Sequence, residues 1–256
     1  MNLSAIDGLI YLVISLLLFL LVQRWLHGEL QAILLLLTRR PSLTIGLFSL
    51  IFFPGVLLHE VSHYLAAVIL RVKTGRFSVI PRVLADGKIR MGYVETAVTD
   101  PLRDTLIGTA PLVTGLAVMA ALGASKRGLV PLAGLAFQGQ WSAFFGGLQA
   151  VTHLQDFWLW FYLAFTVSST MLPSASDRRA WLPVILTIVV LLVIALLAGA
   201  GTWMMAHIAA PVNSGLRILA VVFGVSLMIH LALALPAWLL RLVISRITGM
   251  RVVARG

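Results

Sequence analysis

Apolar runs long enough to cross a lipid bilayer recur along most of this chain. Of its 256 residues, 60% are hydrophobic and 11% are charged, and the mean hydropathy is +1.02. A helix needs about 20 apolar residues to cross the hydrocarbon core, where backbone groups must be satisfied within the protein. We therefore predict an all-α multi-pass membrane protein in which residues 1–256 form a single integral membrane domain.

Six of the apolar runs are predicted to be transmembrane helices. They are Leu9–Val22, Leu43–Leu70, Leu106–Leu122, Phe157–Leu172, Leu182–Met205 and Ile218–Leu239. The first run follows an N-terminal segment without the basic start and cleavage site of a secretory signal, so we interpret it as a retained helix. Residues 129–151 carry three glutamines and four glycines, which favours a re-entrant or interfacial segment over a full crossing.

Basic residues are unevenly distributed between the two predicted faces. With six crossings, 13 of the 19 Lys and Arg fall on one face and 6 on the other. The positive-inside rule then predicts that both termini are cytoplasmic, with the cell membrane as the location. Because these charges lie in short loops between apolar runs, they indicate orientation in a bilayer and not nucleic-acid binding.

The sequence His59-Glu60-Val61-Ser62-His63 lies within the second apolar run. Helical residues four apart share a face, so both imidazoles can bind one metal ion, with Glu60 as a general base. A carboxylate at the bilayer centre costs roughly 2.5 to 3.5 kcal/mol on insertion scales, so ionisable residues there indicate function. The alternative is a polar helix interface without metal.

A third metal ligand is needed, because a catalytic zinc usually has three protein ligands and one open position. The chain has no cysteine, which leaves histidine or a carboxylate. Asp177 is the preferred candidate: it follows a span broken at Pro173, and six crossings put it on the same side as His63. Its alternative role is an N-cap of the next helix. Weaker candidates are Glu95 and Asp104 on the same side and His153 and Asp156 on the far side, while His207 and His230 are interpreted as helix-interface residues.

A β-hairpin is predicted between the motif helix and the next span. Asp86-Gly87, a strong hairpin turn signal, separates Phe77–Ile80 from Ile89–Val94. The hairpin would lie on the cytoplasmic side, close to the histidines. The alternative is an ordinary cytoplasmic loop.

Three segments together resemble the site-2 protease family of intramembrane zinc metalloproteases. They are residues 53–63, similar to the family's metal-binding helix; residues 108–115, similar to its Gly-Pro segment; and residues 172–177, similar to the segment that supplies the third ligand. Thr114, Thr170 and Arg178 depart from the family pattern, so the chain resembles a divergent member.

The resemblance divides the single domain into three parts. Residues 1–42 are an N-terminal helix and loop, residues 43–205 a metalloprotease-like core, and residues 206–256 a C-terminal helix and basic tail. It implies one catalytic Zn²⁺ on His59, His63 and Asp177, with Glu60 as the general base of a zinc metalloendopeptidase. In the family, strands beside the site pair with an unwound substrate, which would be a transmembrane or membrane-associated protein or peptide.

Two other functions remain open from the sequence. One is a non-catalytic metal-binding membrane scaffold that binds transmembrane helices without cutting them; it would tolerate the loss of Glu60. The other is a transporter, which the sequence favours less because it has no convincing internal repeat and no second broken helix in a matching position. Substrate identity and oligomeric state are not predicted.

Overall fold

A computed structural model describes residues 7–83, 89–124, 135 and 138–250 of the chain. Its helices are α1 (Asp7–Thr38), α2 (Pro41–Ile51), α3 (Phe53–Ile69), α4 (Pro101–Ala124), α5 (Trp141–Thr152), α6 (Phe157–Thr170), α7 (Trp181–Leu197), α8 (Gly201–His207) and α9 (Ala209–Thr248). Between α3 and α4 the described residues form four strands: β1 (Thr74–Ser78), β2 (Arg82–Val83), β3 (Ile89–Arg90) and β4 (Tyr93–Thr96). The predicted architecture of apolar helices with a small sheet is confirmed.

Three helices are individually long and apolar enough to cross a membrane: α1, α4 over Pro101–Leu122, and α9. Two further helix pairs qualify only when taken together, and both are bent: α2 with α3 by 71° and α7 with α8 by 111°. The described part of the chain thus has three to five candidate spans. Helix α6, in the fourth predicted span, has 14 residues, fewer than the roughly 20 that a perpendicular crossing needs. The number six therefore stays a prediction.

Helices α1 and α9 run parallel to each other, with an ion pair near each end. The Arg217 guanidinium donates to both Asp7 carboxylate oxygens, at 2.8 and 2.5 Å, and Arg241 donates to the buried Glu29 carboxylate. The pairs are 22 residues apart on α1 and 24 on α9, or about 33 and 36 Å. If both helices cross the bilayer, they cross it in the same direction. The arrangement with both termini cytoplasmic stays a prediction.

Helices α3 and α6 are also parallel, whereas α4 is antiparallel to them. The Tyr162 hydroxyl on α6 donates to the Ile51 carbonyl just before α3, and His59 contacts the Thr170 carbonyl 2.6 Å away further along both helices. Gly108 on α4 lies against Asp177, and Gly115 lies against Met171. The end of α4 and the start of α6 therefore lie at the same end of the bundle, as expected if residues 129–151 do not cross the membrane fully. Within that stretch, residues 129–134 and 136–137 lie outside the described residues.

The strands form the predicted antiparallel hairpin. Strand β1 pairs with β4, with Thr74 opposite Thr96 and Ser78 opposite Tyr93, and β2 pairs with β3. A register shift interrupts the first ladder between Thr74 and Phe77. The Asp86-Gly87 turn lies outside the described residues. The hairpin follows directly after α3, and its last strand, β4, lies beside the two histidines of that helix.

Buried aromatic rings join the helix pair α1/α9 to the helices that carry the histidines. Phe52, at the bend between α2 and α3, lies 5.2 Å from Phe165 on α6. Phe165 lies 5.3 Å from the His230 ring on α9, which in turn contacts Phe19 on α1 at 5.0 Å. Four helices therefore share one core around the end of α6.

Candidate metal centre

Two histidines one helical turn apart present their Nε2 atoms to the same point. The His59 and His63 Nε2 atoms are 3.2 Å apart, and each Nδ1 faces a backbone carbonyl oxygen: Thr170 at 2.6 Å for His59 and Ile107 at 2.9 Å for His63. A carbonyl oxygen only accepts hydrogen bonds, so each histidine donates from Nδ1. With Nδ1 engaged in this way, Nε2 is the nitrogen of each ring that is placed to bind a metal ion, as in metal-binding histidines.

Both carbonyls are available because the sequence interrupts their helices. The Ile107 carbonyl would normally accept from the residue four positions later, but that residue is Pro111, which has no N–H. Thr170 is the last residue of α6, where carbonyls have no partner within the helix. Neither acceptor was predicted from the sequence, although Pro111 is a signal for the first.

Asp177 completes the cluster from the loop after α6. Its carboxylate oxygens lie 3.7 Å from the His59 Nε2 and 3.4 Å from the His63 Nε2, and the Ser174 N–H donates to Oδ2 at 2.7 Å. Burial raises the pKa of the Asp177 carboxyl, but the contacts with His59, His63 and Ser174 lower that pKa by more. The group is therefore ionised at neutral pH. The alternative role as an N-cap is not observed, because the N-cap of α7 is Ala180.

The three groups form a donor set that could hold a metal ion. Their ligand atoms all lie within 4.8 Å of one another, and the exposed fractions of the side chains are 14% for His59, 9% for His63 and 14% for Asp177. Imidazole nitrogens and carboxylate oxygens are both common metal ligands in proteins. The predicted ligands are therefore brought together as expected, in a site mostly closed to solvent.

Glu60 lies beside the cluster and lines the same cavity, whose volume is about 790 Å³. The residue is 7% exposed. The backbone of Gly92, just before β4, presses directly against it: a Cβ atom at Gly92 would lie 2.7 Å from the Glu60 Oε1. Strand β4, the start of α4 and the Asp177 loop form the other walls. A buried carboxylate thus lines the same cavity as the two histidines and Asp177.

The weaker ligand candidates lie outside the cluster. Glu95 and Asp104 line the cavity, but Asp104 accepts two hydrogen bonds from Arg179, both at 2.7 Å. His153 is the C-cap of α5 and Asp156 the N-cap of α6.

The two remaining histidines were predicted to lie in helix interfaces. For His230 this is confirmed, because its side chain is fully buried and lies 2.9 Å from the Ser169 hydroxyl. For His207 it is wrong, because its ring is exposed and stacks on Trp203 of the same short helix, at 5.0 Å.

No family model matches the chain, and no curated protein or solved structure matches it either. The resemblance to site-2 proteases therefore stays a prediction.

Proposed function

We propose that this chain is an intramembrane zinc metalloprotease that hydrolyses peptide bonds of transmembrane or membrane-associated substrates. The observation that supports the proposal is the convergence of His59, His63 and Asp177 within 4.8 Å, beside a buried carboxylate in one cavity. A helix interface that needed only polarity would not require two Nδ1 atoms fixed by carbonyls of other segments.

Zinc fits the donor set, because two imidazole nitrogens and one carboxylate oxygen match the three protein ligands of catalytic zinc sites. The His59 and His63 Nε2 atoms and the Asp177 carboxylate would hold it. When bound, the ion lowers the pKa of a water molecule toward about 7 and polarises a substrate carbonyl. The Thr170 and Ile107 carbonyls keep both rings in the tautomer that this binding requires.

Glu60 would move the proton. Its carboxylate accepts a proton from the water whose oxygen attacks the peptide carbonyl carbon, and then delivers that proton to the amide nitrogen as the C–N bond breaks. Burial at 7% exposure excludes bulk water from this carboxylate, and Gly92 fixes its position from the other side.

An extended substrate would bind along β4. In a helix the peptide carbonyls are occupied by hydrogen bonds, so a transmembrane substrate must unwind before attack. Strand β4 lines the cavity and offers main-chain groups at a sheet, the arrangement through which peptides add as strands. A peptide bound along β4 would place its scissile bond next to Glu60, which lines the same cavity.

The metal end of the bundle would face the cytoplasm, with the N-terminus on the opposite face. Helix α7 extends about 25 Å from the Asp177 loop toward the start of α9. The start of α9 carries Arg217, so the Asp177 loop would lie nearer to the opposite end of α9, where Arg241 pairs with Glu29. Ten described basic residues lie in loops or helix turns that this arrangement puts near that end: Arg39, Arg40, Arg71, Lys73, Arg76, Arg103, Arg178, Arg179, Arg241 and Arg246. Arg217 lies at the other end, so the distribution follows the positive-inside rule with an odd number of crossings.

Zinc content provides the first test, because it needs no substrate. Detergent-purified wild type should contain about one zinc per chain, and His63→Ala and Asp177→Asn should lose or weaken it. A well-folded wild-type protein without zinc would refute the proposal.

Glu60→Gln distinguishes the protease from a non-catalytic scaffold. The variant should retain zinc and helical structure but lose cleavage of a library of fluorogenic transmembrane peptides in detergent micelles. Asp100→Asn is the control, since it also replaces a carboxylate by an amide, at an exposed residue that does not line the cavity. Wild-type protein that holds zinc but cleaves no peptide beyond the Glu60→Gln background would favour the scaffold.

A further inference from the structure

Helices α1 and α9 contact the end of α6 through polar side chains. The Gln23 side chain on α1 donates from Nε2 to the Ser169 carbonyl at 2.6 Å. The Ser169 hydroxyl lies 2.9 Å from the His230 Nε2 on α9. Ser169 immediately precedes Thr170, whose carbonyl fixes His59, and Ser169 itself lines the cavity.

The broken end of α6 explains why Ser169 needs these partners. The residue four positions after Ser169 is Pro173, which cannot donate a hydrogen bond to its carbonyl. Two successive carbonyls, those of Ser169 and Thr170, are therefore available, and each accepts from a side chain of a different helix. A buried carbonyl without a hydrogen-bond donor would cost folding free energy. The Gln23 side chain supplies that donor and thereby fixes the position of the loop that follows α6.

The hydrogen atoms of the His230 contact can be assigned from its other nitrogen. Its Nδ1 lies 2.8 Å from the Ser226 carbonyl, which only accepts, so Nδ1 carries the proton. Nε2 then accepts, and the Ser169 hydroxyl donates to it. The His230 ring is fully buried between Phe19 and Phe165, at 5.0 and 5.3 Å, and cannot turn without displacing them.

We infer that Gln23 and His230 are positioning residues of the metal centre, which act through Ser169 on the Thr170 carbonyl and thereby on the His59 ring. The inference rests on one part of the proposed function, the binding of a metal ion by His59, His63 and Asp177. It extends the site to the parallel pair α1/α9, outside the segments 43–205 that resemble the protease core. The outer partners of metal-binding histidines typically change metal affinity by 10- to 100-fold when they are removed.

Co²⁺ binding to the full-length protein in detergent tests the inference without any substrate. Gln23→Leu and His230→Leu should each weaken Co²⁺ binding by about 10- to 100-fold and shift the visible absorption bands of the bound ion. His230→Gln retains an acceptor near the Nε2 position and should recover affinity to within about threefold of the wild type.

Asn213→Ala is the control for a purely structural effect. Asn213 makes two hydrogen bonds at 2.9 Å in the same helix pair, to Gly8 and Asp7, near the opposite end of α1. The Asn213→Ala variant should lower the melting temperature of the metal-free protein without changing its Co²⁺ affinity or the visible absorption bands of the bound ion. If Gln23→Leu and His230→Leu behave as this control does, the inference is refuted while the metal site stands. A wild-type protein that binds no Co²⁺ refutes both the site and the inference.

Discussion

Replacing Gly108 with alanine should disrupt the metal centre without substituting any of the three ligand residues. A Cβ atom at Gly108 would lie 2.0 Å from the Asp177 carbonyl oxygen and 3.0 Å from its carbonyl carbon. Ordinary van der Waals contact begins near 3.4 Å, so α4 and the Asp177 loop must separate by about 1.4 Å. Metal sites keep ligand distances within about 0.2 Å, so a displacement several times larger removes the Asp177 carboxylate from the coordination geometry.

The expected loss of zinc or Co²⁺ affinity is about 100-fold or more, which corresponds to roughly 2.7 kcal/mol. The helix itself should gain stability, because alanine is favoured over glycine within a helix by roughly 0.5 to 1 kcal/mol. Metal content and Co²⁺ titration measure the first effect, and circular dichroism verifies that the helices persist.

Gly28→Ala is the matched control. Gly28 also lies within a long apolar helix, and a Cβ atom there meets nothing within 4 Å. It should bind metal as the wild type does and share only the gain in helix stability. Wild-type metal affinity in Gly108→Ala would show that the Asp177 loop does not need its close approach to α4, and the geometric reasoning would be wrong.

Two further predictions concern Glu60 and the membrane orientation. Gly92→Ala places a methyl group 2.7 Å from the Glu60 Oε1, so we expect at least a tenfold loss of peptide cleavage with zinc content unchanged; equal activity would show that the hairpin can move away freely. Reporter fusions to the two ends of the chain should report opposite faces of the membrane, with the end after α9 cytoplasmic, because α1 and α9 are parallel; a cytoplasmic reporter at both ends would restore the arrangement predicted from sequence.

Local patterns in the sequence predict the histidine pair and the hairpin. His59 and His63 share a helix face by spacing alone, and the Asp86-Gly87 signal predicts the pairing that β1 and β4 show. Asp177 is harder to place, because its position depends on where α6 breaks, yet Pro173 marks that break. These features depend on a few neighbouring residues, which is why the sequence reveals them.

The direction of α9 relative to α1 depends instead on residues far apart in the chain. Glu29 and Arg241 are 212 positions apart, and nothing in either local sequence identifies the other as its partner. The count of basic residues depends on the assumed number of crossings, so a broken helix pair counted as one span changes the predicted face of everything after it. The Gln23 contact, over 146 positions, was invisible for the same reason.

The two ion pairs of α1 and α9 also determine how deep the reaction would take place. Charged pairs about 33 to 36 Å apart match the boundaries of a hydrocarbon core of about 30 Å, and Gln23, which holds the end of α6, lies six residues or about 9 Å from Glu29. On the proposed function, a substrate would be cut at a fixed distance from the membrane surface, whichever residues stand there. Cleavage positions in unrelated substrates should then align by depth and not by sequence.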